Sequence, residues 1–409
     1  MILVPMSDPF VLPPLSLYVH IPWCVRKCPY CDFNSHALRG ELPQMEYVAA
    51  LLRDLEQDLP RVYGRSVRTV FLGGGTPSLF EPEHIDALLS GIRARIALAA
   101  QAEITLEANP GTVELKRFRG YRDAGITRLS IGIQSFDRDK LQALGRIHGR
   151  DEALAAAQAA RAAGFDNFNL DLMYGLPGQT VDDSLADLAL AFESGAPHLS
   201  LYQLTLEPNT LFHREPPRLP DEDMIAAMYA ALLARTQQAG YQNYEVSAYA
   251  KPGAACSHNL NYWQYGDYLG IGAGAHAKIT QPIGDVPDDS PSVDGATPRI
   301  AIMRLWKVKQ PQEFLNKAGA RTAIGGETRV TAPEAAFEFM LNALRLTAGV
   351  PVELFTERTG VGMETIAAPL AAAEQRGLLA RTTTHLVPTA LGRQFLNDLV
   401  ALFLPARAA

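Results

Sequence analysis

Three of the four cysteines in this chain lie close together, in the stretch YVHIPWCVRKCPYCDFNSH (residues 18–36). The spacing Cys24-x3-Cys28-x2-Cys31 places three thiolates on one short loop, where they can converge on one centre. Thiolates are soft ligands that select zinc, Cu(I) or iron–sulfur clusters. Zinc would take His36 as a fourth ligand, although no second cysteine or histidine turn accompanies the loop. An iron–sulfur cube held by three cysteines would leave one iron open to a small molecule.

The cysteine loop follows the first of six apolar, β-branched-rich runs, and Ala- and Leu-rich helical stretches such as residues 45–59 and 151–164 separate these runs. The six runs are SLYVHI (16–21), TVFLGGG (69–75), EITLEANP (103–110), RLSIGIQS (128–135), NFNLDLMYGLP (167–177) and HLSLYQLTLEP (198–208). Alternating strands and helices predict βαβ units and a parallel sheet whose strands are buried on both faces.

Polar residues stand where these predicted strands end. They are the cysteine loop, the turn Gly73 to Thr76, Glu107, Gln134, Asp171 and Gln203. The carboxyl ends of parallel strands meet at one edge, which is where chemistry collects in such barrels. The pattern therefore predicts an open α/β barrel with one shared site.

The cysteine spacing, with Tyr30 before the last cysteine, resembles the signature of the radical S-adenosylmethionine (SAM) family. That resemblance implies a [4Fe–4S] cluster on Cys24, Cys28 and Cys31, with the open iron chelating the amino-acid end of SAM. It also implies SAM contacts at the strand ends. These are Tyr18, Gly74, Gly75, Thr76, Glu107, Gln134, Arg146 and Asp171.

The chemistry of two of these residues suits that ligand. Arg146 can pair with the SAM carboxylate, and Asp171 can accept hydrogen bonds from ribose hydroxyls. The turn at residues 73–78 lacks the Gly-Lys-Ser/Thr ending of a P-loop. It resembles the family's glycine motif, which lets the backbone approach the SAM amino group.

The order of the motifs over residues 16–210 resembles one branch of the family. This branch contains the oxygen-independent coproporphyrinogen III dehydrogenase and its relatives, the heme chaperones. The dehydrogenase has a fourth cysteine two residues after the third, where this chain has Phe33. It also has a longer extension before the cysteine loop. Both departures favour the chaperones, which bind heme and transfer it to acceptor hemoproteins.

The stretch SHNLNYW (residues 257–263) resembles the HNxxYW motif associated with heme binding in those chaperones. His258 could be an axial ligand of heme iron, because neutral imidazole binds it well. Tyr262 and Trp263 could offer flat apolar area to a porphyrin, and Asn259 completes the motif. Capping and core packing are the structural alternative for the same residues, and Cys256 could ligate or attach heme instead. For His276 in LGIGAGAHAK, a hydrogen-bonded loop histidine is the favoured interpretation.

The remaining chain predicts two further parts. Residues 281–298 are rich in Pro, Asp and Gly and predict a solvated loop. Beyond them, three helical stretches (334–346, 352–360 and 364–379), a strand pair and a last helix resemble a winged-helix module, for which a lid or docking role is expected. The predicted domains are a radical SAM core at 1–210, an extension with the HNxxYW motif at 211–300, and a winged-helix-like unit at 301–409.

Composition sets limits on function. With 47% hydrophobic and 20% charged residues, the chain has the composition of a soluble globular protein. A formal net charge of −7 argues against a broad nucleic-acid-binding surface. The start of the chain lacks the pattern of a signal peptide, and no apolar run is long enough for a membrane span. A cytoplasmic protein with reduced thiols is expected, and transient contact with a membrane surface stays open.

The sequence thus predicts a cytoplasmic heme chaperone that carries a [4Fe–4S] cluster and SAM. The alternatives are a radical SAM coproporphyrinogen III dehydrogenase and a zinc-stabilised interaction protein.

Overall fold

A computed structural model describes residues 11–111, 114–283 and 300–405 of the chain. Of the polar loop predicted at 281–298, residues 284–298 lie outside the described residues. In the described part, no helix is long and apolar enough to cross a membrane.

The strands are β1 (Leu15–Ile21), β2 (Trp23–Cys24), β3 (His36–Ala37), β4 (Val67–Gly74), β5 (Leu98–Ala108), β6 (Arg128–Gln134), β7 (Phe168–Tyr174), β8 (His198–Gln203), β9 (Gln242–Glu245), β10 (Ala248–Ala250), β11 (Asp267–Ile271), β12 (His276–Pro282), β13 (Ile300–Lys307), β14 (Ile324–Arg329), β15 (Val350–Pro351), β16 (Leu379–Arg381) and β17 (His385–Pro388). The helices are α1 (Gln44–Asp58), α2 (Pro82–Arg93), α3 (Glu114–Ala124), α4 (Arg138–Ala143), α5 (Arg150–Ala162), α6 (Val181–Glu193), α7 (Leu211–Arg214), α8 (Glu222–Gln238), α9 (Ser257–Trp263), α10 (Pro311–Lys317), α11 (Ala332–Ala343), α12 (Val352–Thr359), α13 (Ala367–Gln375), α14 (Ala390–Gln394) and α15 (Leu396–Ala401).

Twelve strands form one sheet in the order β14-β13-β12-β11-β1-β4-β5-β6-β7-β8-β10-β9. The six predicted strands are β1 and β4 to β8, and neighbours among them pair in parallel. β1, β4 and β7 are almost entirely buried, as expected of strands covered on both faces, and all of β6 up to Gln134 is buried. The predicted α/β barrel of six parallel strands is therefore confirmed.

The helices between these strands cover the outer face of the barrel, and their apolar sides join the strands in one large core. Local sequence sets their ends. In α6, Thr180 and Asp183 form a reciprocal capping box, in which each side chain accepts a hydrogen bond from the backbone N–H of the other.

The sheet continues beyond the six-stranded barrel at both ends. Strand β11 pairs in parallel with β1, and β12, β13 and β14 follow as antiparallel strands. At the other end, β10 pairs antiparallel with β8 and with β9. These added strands include β13 and β14, whose residues from 301 onward the sequence grouped with the C-terminal unit. The bounds of the three predicted domains stay predictions.

A second core lies in the C-terminal part of the chain, around α11, α12 and α13. The short strands β15, β17 and β16 form a separate antiparallel sheet beside these helices. Three helices with a small β wing match the winged-helix arrangement that the sequence resembled.

Candidate cofactor site

The three clustered cysteines lie on a loop that is held at both ends. Strand β2, which ends at Cys24, pairs with β3 beyond the loop, and Cys31 N–H donates to the carbonyl of Cys28 (3.2 Å). Lys27 Nζ donates to the carbonyls of Phe33 (3.1 Å) and Ser35 (3.0 Å), which closes the loop. All three thiols are free of disulfides and half-buried. Burial raises the pKa of the Cys24 thiol, and the other two thiols raise it further.

Hydrogen bonds tie the cysteine loop to the strand ends. Thr76 Oγ1 donates to Cys24 Sγ (3.5 Å) and accepts from Asn109 Nδ2 (2.9 Å). Asn109 Oδ1 in turn accepts from Arg146 Nη2 (2.7 Å), and Arg146 Nη1 reaches Cys28 Sγ (3.8 Å). Two cysteines are thus linked through three side chains that follow β4, β5 and α4. Arg146 Nε is buried and has no partner among the described residues.

The glycine turn after β4 approaches the cysteine loop more closely than any side chain would allow. Gly74 has φ +113°, and a Cβ there would lie 2.4 Å from the His20 ring. A Cβ on Gly75 would lie 2.5 Å from the carbonyl oxygen of Trp23. Gly75 N–H donates to Ile21 O and Thr76 N–H to Trp23 O, both at 2.8 Å. The glycines therefore allow the backbone of this turn to pack against the start of the cysteine loop, and their predicted contact with SAM stays a prediction.

Two carboxyl groups point into the barrel at this end. Glu107 Oε2 accepts from Gly74 N–H at 3.0 Å. Burial, reinforced by the charge of Asp171, raises the pKa of Glu107 to about 8. Burial also raises the pKa of Asp171, although hydrogen bonds from Asn169 and Ser130 oppose that shift. A cation bound nearby would favour the ionised form of both groups, so each could lose its proton when such a ligand binds.

Gln134 ends β6 in the left-handed region, with φ +70°. The pairing of β6 with β7 shifts register between Gly132 and Gln134, so the chain leaves the sheet here. Strain of this kind persists where surrounding structure enforces it and is frequent at functional sites. Here it accompanies a side chain that lines the cavity between the strand ends.

A cavity of about 380 Å³ lies between the cysteine loop and the strand ends. It is lined by all three clustered cysteines and by most of the predicted SAM contacts. Those contacts are Gly74, Gly75, Thr76, Glu107, Gln134, Arg146 and Asp171. Tyr18 lies deeper in the barrel, where its ring stacks on Phe71 and its hydroxyl shares a 3.0 Å hydrogen bond with His20 Nδ1.

Sequence reasoning missed several residues of this cavity. Asn109, Ser130 and Tyr202 line it, and Ser130 Oγ donates to Asp171 Oδ2 at 3.2 Å. Asn109 stands directly after a predicted strand end and could have been found by the same rule as Glu107. Ser130 and Tyr202 lie within strands, where alternation alone does not tell which face points inward.

A hydrogen-bonded chain runs from Asp171 through the barrel interior. Asn169 Nδ2 donates to Asp171 Oδ1 (2.8 Å), so its Oδ1 is free to accept from His198 Nδ1 (2.7 Å). His198 Nε2 can then accept from the Tyr244 hydroxyl (2.8 Å), which itself accepts from Cys256 N–H (3.3 Å). Burial lowers the pKa of His198 well below its usual value, so the ring is neutral. This buried chain joins the cavity to the residue that precedes α9.

The HNxxYW stretch forms α9, at the opposite end of the barrel strands from the cysteine loop. The backbone N–H groups of Ser257 and His258 donate to Glu103, whose carboxylate suits a helix N-terminus. The His258 side chain is only 2% exposed, and its Nδ1 shares a 2.8 Å hydrogen bond with Thr69 Oγ1. Burial lowers the pKa of His258 to about 3. Heme contact by this ring would require α9 to move, and it stays a prediction.

The other motif residues lie on two sides of α9. Tyr262 packs between His258 and Tyr268, with ring centroids 5.1 and 4.5 Å away. Trp263 packs against the C-terminal core, under the Arg345 guanidinium at 4.2 Å. Asn259 is half-buried. The motif thus joins the barrel to the C-terminal core, and its members do not share one open surface.

The cavity suits the cofactors that the cysteine pattern implied. Its volume falls in the usual range for small-molecule pockets, about 300–1,000 Å³. Three thiols open onto it, and a buried guanidinium nitrogen and a carboxyl of raised pKa lie among its walls. Among the described residues, no group of three or more His, Cys, Asp or Glu side chains is arranged around a single metal ion. His36, the candidate fourth zinc ligand, shares a 3.2 Å hydrogen bond with Asn34.

Comparisons with known proteins agree with this arrangement. Residues 18–191 match the family model of the radical SAM superfamily, and residues 330–395 match that of the HemN C-terminal domain. The heme chaperone HemW of Escherichia coli (strain K12) is 49% identical over 393 residues, which cover 96% of this chain and 99% of that protein. HemW of Haemophilus influenzae is 47% identical over 397 residues, covering 96% and 98%.

Among solved structures, the coproporphyrinogen III oxidase HemN of Escherichia coli, described as a radical SAM enzyme, aligns with a TM-score of 0.78. The alignment covers 96% of this chain and 90% of HemN, at 22% identity. At that identity the match shows a shared fold.

Proposed function

The chain belongs to the radical SAM superfamily and, within it, to the heme chaperone HemW family, and we propose on this premise that it binds heme and delivers it to acceptor hemoproteins. The observation that carries the proposal is the identity to HemW of 49%, which extends over 96% of the chain. Identity over that length includes the cavity, α9 and the C-terminal core together. Reduced thiols that are free to bind iron favour the cytoplasm as the place of action.

The resident cofactors in this proposal are a [4Fe–4S] cluster and SAM. Cys24, Cys28 and Cys31 would hold the cluster, which supplies a one-electron centre with one iron open to the amino-acid end of SAM. The loop around these thiolates is fixed by Thr76 and Arg146, whose hydrogen bonds to sulfur lower the cost of the thiolate charge. Two of the three thiolates are thereby oriented before any metal binds.

The remaining cavity residues would position SAM. Arg146 can pair with the ligand carboxylate through its unpartnered Nε. Glu107 can accept from the N–H groups of the ligand's amino group, and Asp171 from ribose hydroxyls. Gly74 and Gly75 keep side chains out of the path between the cysteine loop and β4. These roles follow from charge and position, with Gln134 and Thr76 as further polar contacts.

A set of cysteine variants tests the cofactor part. Single Cys→Ser variants at the three loop positions should each lose most of the iron, and the broad absorbance near 400 nm that dithionite bleaches. Cys256→Ser is the matched control, because Cys256 is buried beside Glu103 and far from the loop. Full iron content in all three loop variants, or zinc in the purified wild type, would contradict a cluster at this site.

Heme transfer tests the chaperone part. Cluster-loaded protein with added heme should retain it through gel filtration and pass it to an apo-hemoprotein, read from the absorbance of the acceptor. The rival function is oxidative decarboxylation of coproporphyrinogen III, assayed anaerobically with SAM and a reductant. Formation of protoporphyrinogen IX, together with failure to retain heme, would replace the chaperone proposal by the enzyme.

A further inference from the structure

His276 differs from His258 in its access to solvent. It begins β12, directly after the turn that follows β11, and its side chain is exposed. Strand β11 runs parallel to β1, so this turn lies at the end of the sheet where the cysteine loop follows β1. An imidazole on this rim can be reached by a ligand as large as heme without any movement of α9.

The His276 ring has its coordinating atoms available. Neither ring nitrogen makes a hydrogen bond to another described residue. Partial burial lowers the pKa of His276, and the nearby cations Lys309 and Arg304 lower it further. The ring is therefore neutral near pH 7, which is the form that coordinates iron.

A flat aromatic surface lies beside this imidazole. Trp306 faces His276 across the β12–β13 pairing, with ring centroids 6.4 Å apart and an interplanar angle of 26°. The indole lies over β14, where Gly325 and Gly326 leave room for it, since a Cβ on Gly326 would be 2.0 Å from the Trp306 ring. Because the indole is inclined by only 26° to the imidazole, it would stand steeply on a porphyrin whose iron the imidazole ligates, and its edge could contact the porphyrin face.

Asn34 connects the His276 turn to the cysteine loop. Its Nδ2 donates to the carbonyls of Ala273 and Lys309, both at 2.9 Å. Phe33, the residue before Asn34, lines the mouth of the cofactor cavity and is 59% exposed. The Lys309 side chain is exposed and can meet a carboxylate. Imidazole, indole and ammonium groups thus surround one rim beside the cavity.

We propose that His276 is an axial ligand of the heme that this chain carries, with the edge of the Trp306 ring against the porphyrin face and Lys309 near a propionate. The inference rests on the chaperone function proposed above and names its metal-binding residue. The imidazole lone pair fills an open coordination position on the heme iron, so no electron or proton is transferred. His258 then stabilises α9 through Thr69 and does not bind the iron.

Replacement of the ligand tests this assignment on the full-length, cluster-loaded protein. His276→Gly should weaken binding of ferric heme at least tenfold and remove the Soret shift, and millimolar imidazole should restore that shift. His276→Cys should give the spectrum of a thiolate-ligated heme. A merely structural role for His276 would produce neither change. His385→Gly, on strand β17 of the wing, is the control and should bind as wild type does.

The same titrations on His258→Gln separate the two histidines. We expect heme spectra like those of wild type and a lower thermal stability. If His276→Gly binds as wild type does while His258→Gln loses heme, the assignment to His276 is wrong and the chaperone proposal stands. If the wild type itself retains no heme, the proposed function fails first, and the inference fails with it.

Discussion

At the scale of single residues, the cavity contains a carboxyl group that is held in its neutral form. Glu107 is buried next to Asp171, and its pKa of about 8 means that it is mostly protonated at pH 7. SAM carries a permanently charged sulfonium group, and a bound cation favours the carboxylate form. Binding should therefore release a proton from Glu107 at any pH below 8.

This proton release predicts a pH dependence of SAM affinity. Below pH 8, each unit of increase should strengthen binding to wild type by up to about tenfold relative to Glu107→Gln, and the ratio should level off above pH 8. Isothermal titration of both cluster-loaded proteins between pH 6.5 and 8.5 measures the two dissociation constants. Titration of the ligand's own amino group affects both proteins equally and cancels in the ratio. A ratio that does not change with pH would show that Glu107 keeps its proton state on binding.

Phe33 stands where a fourth cysteine would be in the related dehydrogenases, and it points to solvent. We expect Phe33→Cys to leave iron content and SAM affinity within about twofold of wild type, and to add no oxidation of coproporphyrinogen III. An open iron needs only three thiolates, and the new thiol would lie on the rim. Iron analysis and SAM titration check this. Loss of SAM binding with full iron content would mean that the new thiolate caps the open iron.

At the scale of elements, burial decides what the sequence could predict. The six barrel strands were found because parallel strands covered on both faces are continuously apolar. The strands of the extension were missed, in part because polar or charged residues interrupt the apolar pattern of several of them. Gln242–Glu245 is polar, and β12 and β13 each bury a lysine that is paired with aspartates. Lys307, for example, bonds Asp54 and Asp58 of α1, both at 2.7 Å, which only the folded chain brings together.

The same distinction applies to the site. Cysteine spacing and strand ends identified the residues that line the cavity, since parallel strands end at a common edge. The buried hydrogen-bonded chain from Asp171 through Asn169 and His198 to Tyr244 could not be predicted. Its members lie on three different strands, and each hydrogen bond forms only because the side chains concerned point into the barrel. The sequence identified His258 as part of a motif, but it could not show that the side chain is buried, because that burial depends on how α9 packs against Phe71.

The glycine turn after β4 provides a test at this scale. Gly75→Ala would place a Cβ against the backbone of Trp23 and Pro22, and backbone atoms cannot rotate away. The strain should cost about 1–3 kcal/mol and displace the cysteine loop, so iron retention should fall severalfold while the circular dichroism spectrum is kept. Gly149→Ala is the control, because its nearest neighbour would be 3.8 Å away. Equal iron retention in both variants would show that the loop adapts.

At the scale of the whole molecule, the C-terminal core covers the β9 edge of the sheet and packs against β13 near the other edge. Leu346 forms an antiparallel bridge with Glu245 of the last strand, β9. Ile302 of β13 belongs to the C-terminal core and accepts from Val330 N–H at 2.8 Å. Exposed edge strands tend to pair with other chains, so this unit has a structural use that requires no nucleic acid. It also holds α9, because Trp263 packs in the same core.

Arg345 is one of the residues through which this unit contacts the barrel. It pairs with the buried carboxylate of Glu245 (3.0 Å), and its guanidinium lies 4.2 Å from the Trp263 ring centroid. Arg345→Met would leave Glu245 as a buried charge without its cation. Because Arg345 is partly exposed, we expect the free energy of unfolding to fall on the order of 2 kcal/mol. A second change, Glu245→Gln, should recover part of that loss, since it removes the unpaired charge.

Hydrogen exchange shows whether the contact made by Arg345 also stabilises α9, the helix of the HNxxYW motif. In Arg345→Met, the amides of α9 should exchange faster than in wild type, because Trp263 loses its cation and the contact between α9 and the C-terminal core weakens. The amides of α5, on the far wall of the barrel, should exchange as before and serve as the internal reference. Unchanged exchange in α9 with a lowered stability would mean that Arg345 fastens β9 alone, and that α9 is held from the barrel side by Glu103 and Thr69.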